Sequence, residues 1–400
     1  MRKIQHRVKR AAIAAAFGGL VAAALLPCSS YADALRPELA KPLNDAQTLY
    51  RAHKYKDALA KIAQAAAVPN KTPYETYMVE EMRGAAAVAA GESGTAVQAY
   101  EMLLNSGQLK GEEEQRTTAA LAGIYFQEKN YPRAIAVAQR YLKAGGTDPD
   151  MRTLLVQAYY LSNDCGNVVS LLRTSVDAQV RGGRMPDESQ LQLLGTCSQR
   201  VNDNVTYRSA LEKLVAYHPK QSYWDDLLAA IRSKPGYSSR LDIDTYRLRR
   251  ATGALTSADD YMEMTQLAVV ANSTAEAKQV IDQGFASGAL GHDAGADREK
   301  RLQALAAKRA QAPADPANPV QPIDAGLNLV YAGKAKDGLA MMQAAIETGG
   351  LGHPDEAQLH LGVAYYVAGE KAKALQVFRA VKGTDGSAEL ARLWILVASK

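Results

Sequence analysis

Small residues recur in pairs twelve positions apart along this chain, and the pairs themselves repeat. Ala46 and Ala58, Gly84 and Ala96, Ala122 and Ala134, Val156 and Val168, Gly326 and Gly338, and Gly362 and Ala374 all keep that spacing. Neighbouring pairs begin 38, 38, 34 and 36 residues apart, the period of a helix-turn-helix solenoid and not of a propeller blade or a leucine-rich repeat. Each period has room for two helices. Leu121, Ile124 and Tyr125, then Ile135, Ala138, Tyr141 and Leu142, fall at helical spacing on either side of the polar turn Glu128-Lys129-Asn130. Two antiparallel helices come close only where no large side chain intervenes, and stacked neighbours bury what one pair cannot bury alone. Pro69, Pro73, Pro149, Pro186, Pro219 and Pro354 fall where units meet, whereas Pro132 fits the first turn of a second helix, which needs no N–H there. Strand-like alternation is scarce.

Composition agrees with a folded chain. The 400 residues are 47% hydrophobic and 22% charged, which argues against wholesale disorder, and three Cys are too few for a disulfide-dense scaffold. The formal charge of +5 would suggest an anionic partner if it were spread along the chain. It is not. Arg2, Lys3, Arg7, Lys9 and Arg10 precede an uncharged Ala-rich run from Ala11 to Leu26, and Ala32-Asp33-Ala34 follows. This is the three-part pattern of a secretory signal over residues 1–34, with cleavage expected after Ala34, or after Ala32. Its apolar run is shorter than the ~20 residues that span a bilayer. Leu25-Leu26-Pro27-Cys28 resembles a lipoprotein box, but Pro27 stands where a small residue is wanted, so no lipid anchor at Cys28 is expected. Removing this segment leaves 42 bases against 41 acids. The expected product is nearly neutral, exported and without a membrane span, and nucleic-acid binding is not expected of it.

The repeat units resemble tetratricopeptide repeats, whose first helix carries Leu, a small residue and Tyr and whose second carries Ala followed by an aromatic. Leu361-Gly362, Tyr365, the turn at Gly369, Ala374 and Phe378 form the clearest copy. Leu121-Ala122, Tyr125, Tyr131 and Ala134 form a second, and Leu194-Gly195 with Pro219 a third. Residues 221–250 lack the small pair, although Trp224 and Leu227 suit a first helix and Leu241 to Arg250 a second. The resemblance covers most of residues 40–290 and 322–386. It implies an all-α fold, a right-handed superhelical solenoid of antiparallel helix pairs, in which Ala46, Ala58, Gly84, Ala96, Ala122, Ala134, Gly195, Gly362 and Ala374 have structural roles. More loosely, the chain resembles periplasmic tetratricopeptide proteins of Gram-negative bacteria, some of which accompany cell-envelope or TonB-type machinery.

One stretch interrupts the array. Residues 293–311 read as an extra mixed-charge helix, and Pro313, Pro316, Pro319 and Pro322 then recur every third residue, as in a polyproline II spacer. The expected organisation is therefore a signal at 1–34, a helical array over 35–290, a charged helix and linker over 291–322, and shorter helix pairs with a capping helix over 323–400. The final helix is the candidate cap, with Leu390, Leu393, Trp394 and Val397 on one face.

Candidates for chemistry are few. None of the six His forms an H-E-x-x-H or comparable ligand pair, and neither a P-loop, a dinucleotide fingerprint nor a G-x-S-x-G is present. No enzymatic activity, metal or cofactor is expected. Arg247, Arg249 and Arg250 form the sharpest basic cluster. Asp225 with Asp226, and Glu112 to Glu114, read as first-turn helix residues favoured by the dipole. In the repeat register Cys165 opens the second helix of one unit and Cys197 lies late in the first helix of the next, so they form either a disulfide or two buried thiols.

The resemblance also locates a working surface. First helices of such arrays line the concave groove, and the residue after the repeat's Tyr faces it; here that place holds Tyr50, Phe126, Tyr160 and Tyr366. Aromatic rings there suit a peptide, or else pack between neighbouring first helices. The Lys and Asn by which some family members clamp a terminal carboxylate are replaced by Leu43 and Gln47. The expected function is a non-enzymatic periplasmic scaffold or adaptor that binds protein or peptide segments of the cell envelope. The alternative is a structural subunit of an envelope export, TonB-type or polysaccharide-secretion complex.

Overall fold

The computed structural model describes residues 35–292, 294–312 and 320–400. The signal-like segment with Cys28, and Pro313, Pro316 and Pro319 of the spacer, lie outside the described residues. Among the described residues the regular structure is α-helical apart from one 3-10 turn, without strands. The chain divides into two compact units at Leu172/Arg173.

The first unit contains α1 (Pro37–Arg51), α2 (Tyr55–Ala66), α3 (Pro73–Ala90), α4 (Ser93–Asn105), α5 (Glu112–Gln127), α6 (Tyr131–Lys143) and α7 (Pro149–Leu161), and the start of α8 (Cys165–Arg181). The helices pack in hairpins, α1 on α2, α3 on α4 and α5 on α6, with each hairpin stacked on the next. The small pairs lie at the crossings: Ala46, Ala58, Ala96, Ala122 and Ala134 are fully buried. At Gly84 an added Cβ would stand 2.4 Å from the ring of Tyr100 on α4.

The second unit continues with α9 (Glu188–Arg200), α10 (Asn204–Tyr217), α11 (Gln221–Arg232), a 3-10 turn (Ser239–Leu241), α12 (Asp242–Ala251), α13 (Ala258–Val270), α14 (Thr274–Ala286), α15 (Ala296–Gln311), α16 (Pro322–Tyr331), α17 (Ala335–Thr348), α18 (Pro354–Val367), α19 (Lys371–Ala380) and α20 (Ser387–Ala398). The charged stretch expected as an extra helix is α15, which packs on α13 and α14.

One turn recurs within the hairpins of both units. His53, Gly91, Lys129, Asn163, Asn202, Asn272, Gly333 and Gly369 all have positive φ. In each case the next residue's N–H closes the turn onto a carbonyl five residues back: Lys54 on Leu49, Glu92 on Ala87, Asn130 on Tyr125, Asp164 on Tyr159, Asp203 on Ser198, Ser273 on Ala268, Lys334 on Leu329 and Glu370 on Tyr365, at 2.8–2.9 Å. This is the Schellman closure of a helix C-terminus, which favours Gly or Asn at the left-handed residue. It places α13–α14 among the repeat hairpins, although Ala268 and Ser273 carry little of the family pattern. The pair α11–α12 lacks it: Pro235, Gly236 and the 3-10 turn replace the closure.

α16 stacks directly on α14, where Asn328 Oδ1 accepts from Ala275 N–H at 2.8 Å and the Tyr331 carbonyl accepts from Gln279 Nε2 at 2.6 Å. α20 packs on α18 and α19 and also on α12. The segment before α12 covers it, with Lys234 paired to Glu389 and the Ser238 N–H donating to the Asp385 carbonyl at 2.8 Å. Leu390, Leu393 and Trp394 are buried there, together with Ala391 and Ala398, which widen the same buried stripe. A buried stripe that wide is covered by more than one neighbouring element.

Candidate functional site

The first helices of the hairpins place an aromatic pair at their ends. Tyr125, Tyr159 and Tyr365, whose carbonyls close the turns, are buried. One residue further, the backbone turns the next ring outward: Tyr50, Phe126 and Tyr160 in the first unit, and Tyr366 in the second, are each half-buried. Tyr50 meets Tyr55 edge-on at 5.3 Å between centroids, Phe126 meets Tyr131 at 5.7 Å, and Tyr366 tilts against Trp394 at 5.0 Å. The Tyr50, Phe126 and Tyr366 rings thus each meet an aromatic of a later helix and keep part of their surface in water.

Between Tyr50 and Phe126 along the first unit lies a set of residues that the repeat pattern did not single out. Burial, then Glu81, Glu113 and Tyr74, push the Tyr77 hydroxyl up to about 12. Burial, then Tyr50 and Glu81, do the same to Tyr100, to about 12. Glu81 is itself raised by burial and by the nearby Glu113 carboxylate. Tyr50, Tyr77, Tyr100, Glu81 and Glu113 thus feel one another across α1, α3, α4 and α5. The signal that would have found Glu81 is its place three residues before Gly84, one turn earlier on the same side of the same first helix. Leu43, at the place of a carboxylate-clamping Lys, is buried in the core of this unit.

The basic cluster expected at Arg247, Arg249 and Arg250 is not a surface patch. Arg247 is buried and bonded to Asp244 and Glu276, Arg249 bridges Asp225 and Asp260 at 2.9 Å each, and Arg250 donates to Gln283. Placed three apart on α12, Asp244 and Arg247 face inward together. A cleft of about 440 Å³ opens between α12, α13 and the start of α15, lined by Tyr246, Met262, Glu263 and Arg298. Two more of its acids are already engaged: Asp260 caps α13 and Glu299 accepts from the Gly291 N–H at 2.6 Å.

His353 precedes α18 as its N-terminal cap residue, with Pro354 opening the helix, and faces Arg240 at 3.2 Å. Among the described residues no group of three His, Cys, Asp or Glu side chains could hold a metal ion, and no helix is long and apolar enough to cross a membrane. Cys165, the first residue of α8, and Cys197, in α9, are both buried. At Gly362 an added Cβ would stand 2.4 Å from the Phe378 ring, whereas at Gly195 the nearest atoms are 3.8 Å away; Ala374 is fully buried.

Residues 81–149 and 323–389 match the family model of the tetratricopeptide repeat. These two stretches are thus tetratricopeptide-repeat segments, a kind of repeat that generally mediates protein–protein interaction. Among solved structures the chain is similar to the TPR2AB domain of yeast Sti1 in a pHSP90 complex, at 14% identity over 67% of this chain and 98% of that one, with a TM-score of 0.35. It is also similar to Naa15/Naa10 bound to HypK-THB, at 15% identity over 87% of this chain and 59% of that one, with a TM-score of 0.30. No curated protein matches.

Proposed function

We propose that this chain is a non-enzymatic scaffold, exported to the periplasm of a Gram-negative cell, that holds a segment of another envelope protein on the first helices of its N-terminal unit. The supporting observation is the repeated outward aromatic. Tyr50, Phe126 and Tyr160 occupy one place in successive or near-successive hairpins and keep accessible surface. Large rings held by internal packing offer contact area at low entropic cost, which suits recognition of extended or helical segments. Export rests on the charged, Ala-rich and small-residue pattern of residues 1–34. Affinity capture from envelope extracts tests the reading: Phe126→Ala combined with Tyr160→Ala should abolish partner recovery, and undiminished recovery would overturn the assignment to this face. Co-purification of the double variant with an intact membrane complex would favour the structural-subunit alternative.

A further inference from the structure

A buried ionic cluster in the second unit joins helices far apart in sequence. The Arg247 guanidinium on α12 donates to both oxygens of Glu276 on α14, at 2.7 to 3.3 Å, and to Asp244 Oδ1 at 2.9 Å. The other Asp244 oxygen lies 3.1 Å from His360 Nε2 on α18, 116 residues later. Asp244 and Glu276 are fully buried, and Arg247 and His360 nearly so, at 3% and 6% exposed. Two carboxylates against one guanidinium leave an unbalanced negative charge, which is costly away from water.

The imidazole is the group in place to balance it. Its second nitrogen, Nδ1, faces Asp324 Oδ1 of α16 at 4.0 Å. A neutral ring would turn a lone pair toward one of these two carboxylates, whereas the imidazolium presents N–H to both. The remaining charges around it are committed elsewhere. Glu356, one turn earlier on α18, pairs with Arg240 at 2.8 Å. Lys373 of α19 turns to Glu370, and Glu389 and Arg392 of α20 turn to Lys234 and Glu212. Lys336, Asp337 and Glu347 of α17 and Lys371 and Arg379 of α19 are exposed. The buried Tyr331 hydroxyl lies against Glu276 and stays protonated, its acidity suppressed first by burial.

We infer that protonated His360 is the closing charge of a pH-sensitive latch, which holds the C-terminal repeat helices against α12 and loosens when the imidazole loses its proton. The latch lies where the regular hairpin turn is missing, and the α12–α20 packing sits beside it. The sign follows from linkage. Burial alone would lower the His360 pKa, but Asp244 outweighs it and the net direction is upward. The latch is therefore complete below the ordinary imidazole range and lost as pH rises through the raised value.

The test uses the intact chain. Carbon-13 labelled histidine should show His360 titrating above the ordinary 6.5. Hydrogen-exchange protection of α12, α18 and α20, corrected for the intrinsic rate, should fall by up to about tenfold per pH unit between 6.5 and that midpoint and level off above it, while α1–α6 hold steady. His360→Gln should remove the pH step, and Asp244→Asn should bring the His360 midpoint back toward its ordinary value. Titration at or below 6.5, or a pH step that persists in His360→Gln, would overturn the latch. Should either variant fail to fold, the wild-type titration and exchange profile decide the question alone.

Discussion

Arg36 and Glu75, 39 residues apart, tie the start of α1 to the first turn of α3 through two parallel side-chain bonds, Nε to Oε1 at 2.8 Å and Nη2 to Oε2 at 2.9 Å. Glu75 also accepts from the Arg36 backbone N–H and, in a capping box, from the N–H of Thr72. The Arg36 guanidinium, followed by the Thr72 N–H, draws the Glu75 carboxyl from 4.5 down to about 2. A depressed carboxylate contributes stability that is present above its unfolded value and lost as pH falls through the folded one. Acid unfolding of the first unit should therefore steepen between about pH 4.5 and 2, and Glu75→Gln should flatten that limb; circular dichroism against pH measures it.

Small residues at the crossings should differ in tolerance according to what they face. Gly84→Ala and Gly362→Ala each push a Cβ to 2.4 Å from an aromatic ring and should cost about 1–3 kcal/mol in urea unfolding. Gly195→Ala, with 3.8 Å of clearance, should be neutral or stabilise by up to about 1 kcal/mol through helix propensity. Equal effects at all three sites would contradict the account of the pairs.

The arginines of α12 should separate just as clearly. Arg247→Met leaves Glu276 buried without its cation and Asp244 with His360 alone, at a cost of about 3–5 kcal/mol. Arg250→Met, which removes a bond to Gln283 at the surface, should cost less than about 1 kcal/mol. Thermal unfolding of the two variants compares them directly.

We propose that Cys165 and Cys197, both buried, are bridged in the exported protein. A loop of that length contributes roughly 3–4 kcal/mol on the chain-entropy model. Thiol counting on unreduced, denatured protein without its leader should find none, and two titratable thiols would reject the bridge.

The helix pairs were legible because their cause is local: a small residue must stand at each crossing, so the spacing of Gly84 and Ala96 or Gly362 and Ala374 reports the fold directly. The hairpin of α13 and α14 was blurred because its turn is closed by backbone at Asn272, where side chains carry little pattern. Arg247 read as part of a basic patch for the same reason that its partners were hidden. Asp244 is three residues away, but Glu276 is 29 away and His360 reaches Asp244 across 116. Pairing at that range leaves no periodic trace. The docking of α20 on α12 was likewise invisible, although burial of Ala391 and Ala398 beside Leu393 shows that the helix needed two partners.

The claim that the first helices of the N-terminal unit form the binding face is tested most directly by site-specific photo-crosslinking in cells. A photoreactive phenylalanine replaces Phe126 on α5 in one strain and the exposed Ala136 on α6 in another. Discrete adducts with an envelope protein from position 126 and none from position 136 are the predicted result. Adducts from position 136 with none from position 126 would place the interaction on the second helices and contradict the account.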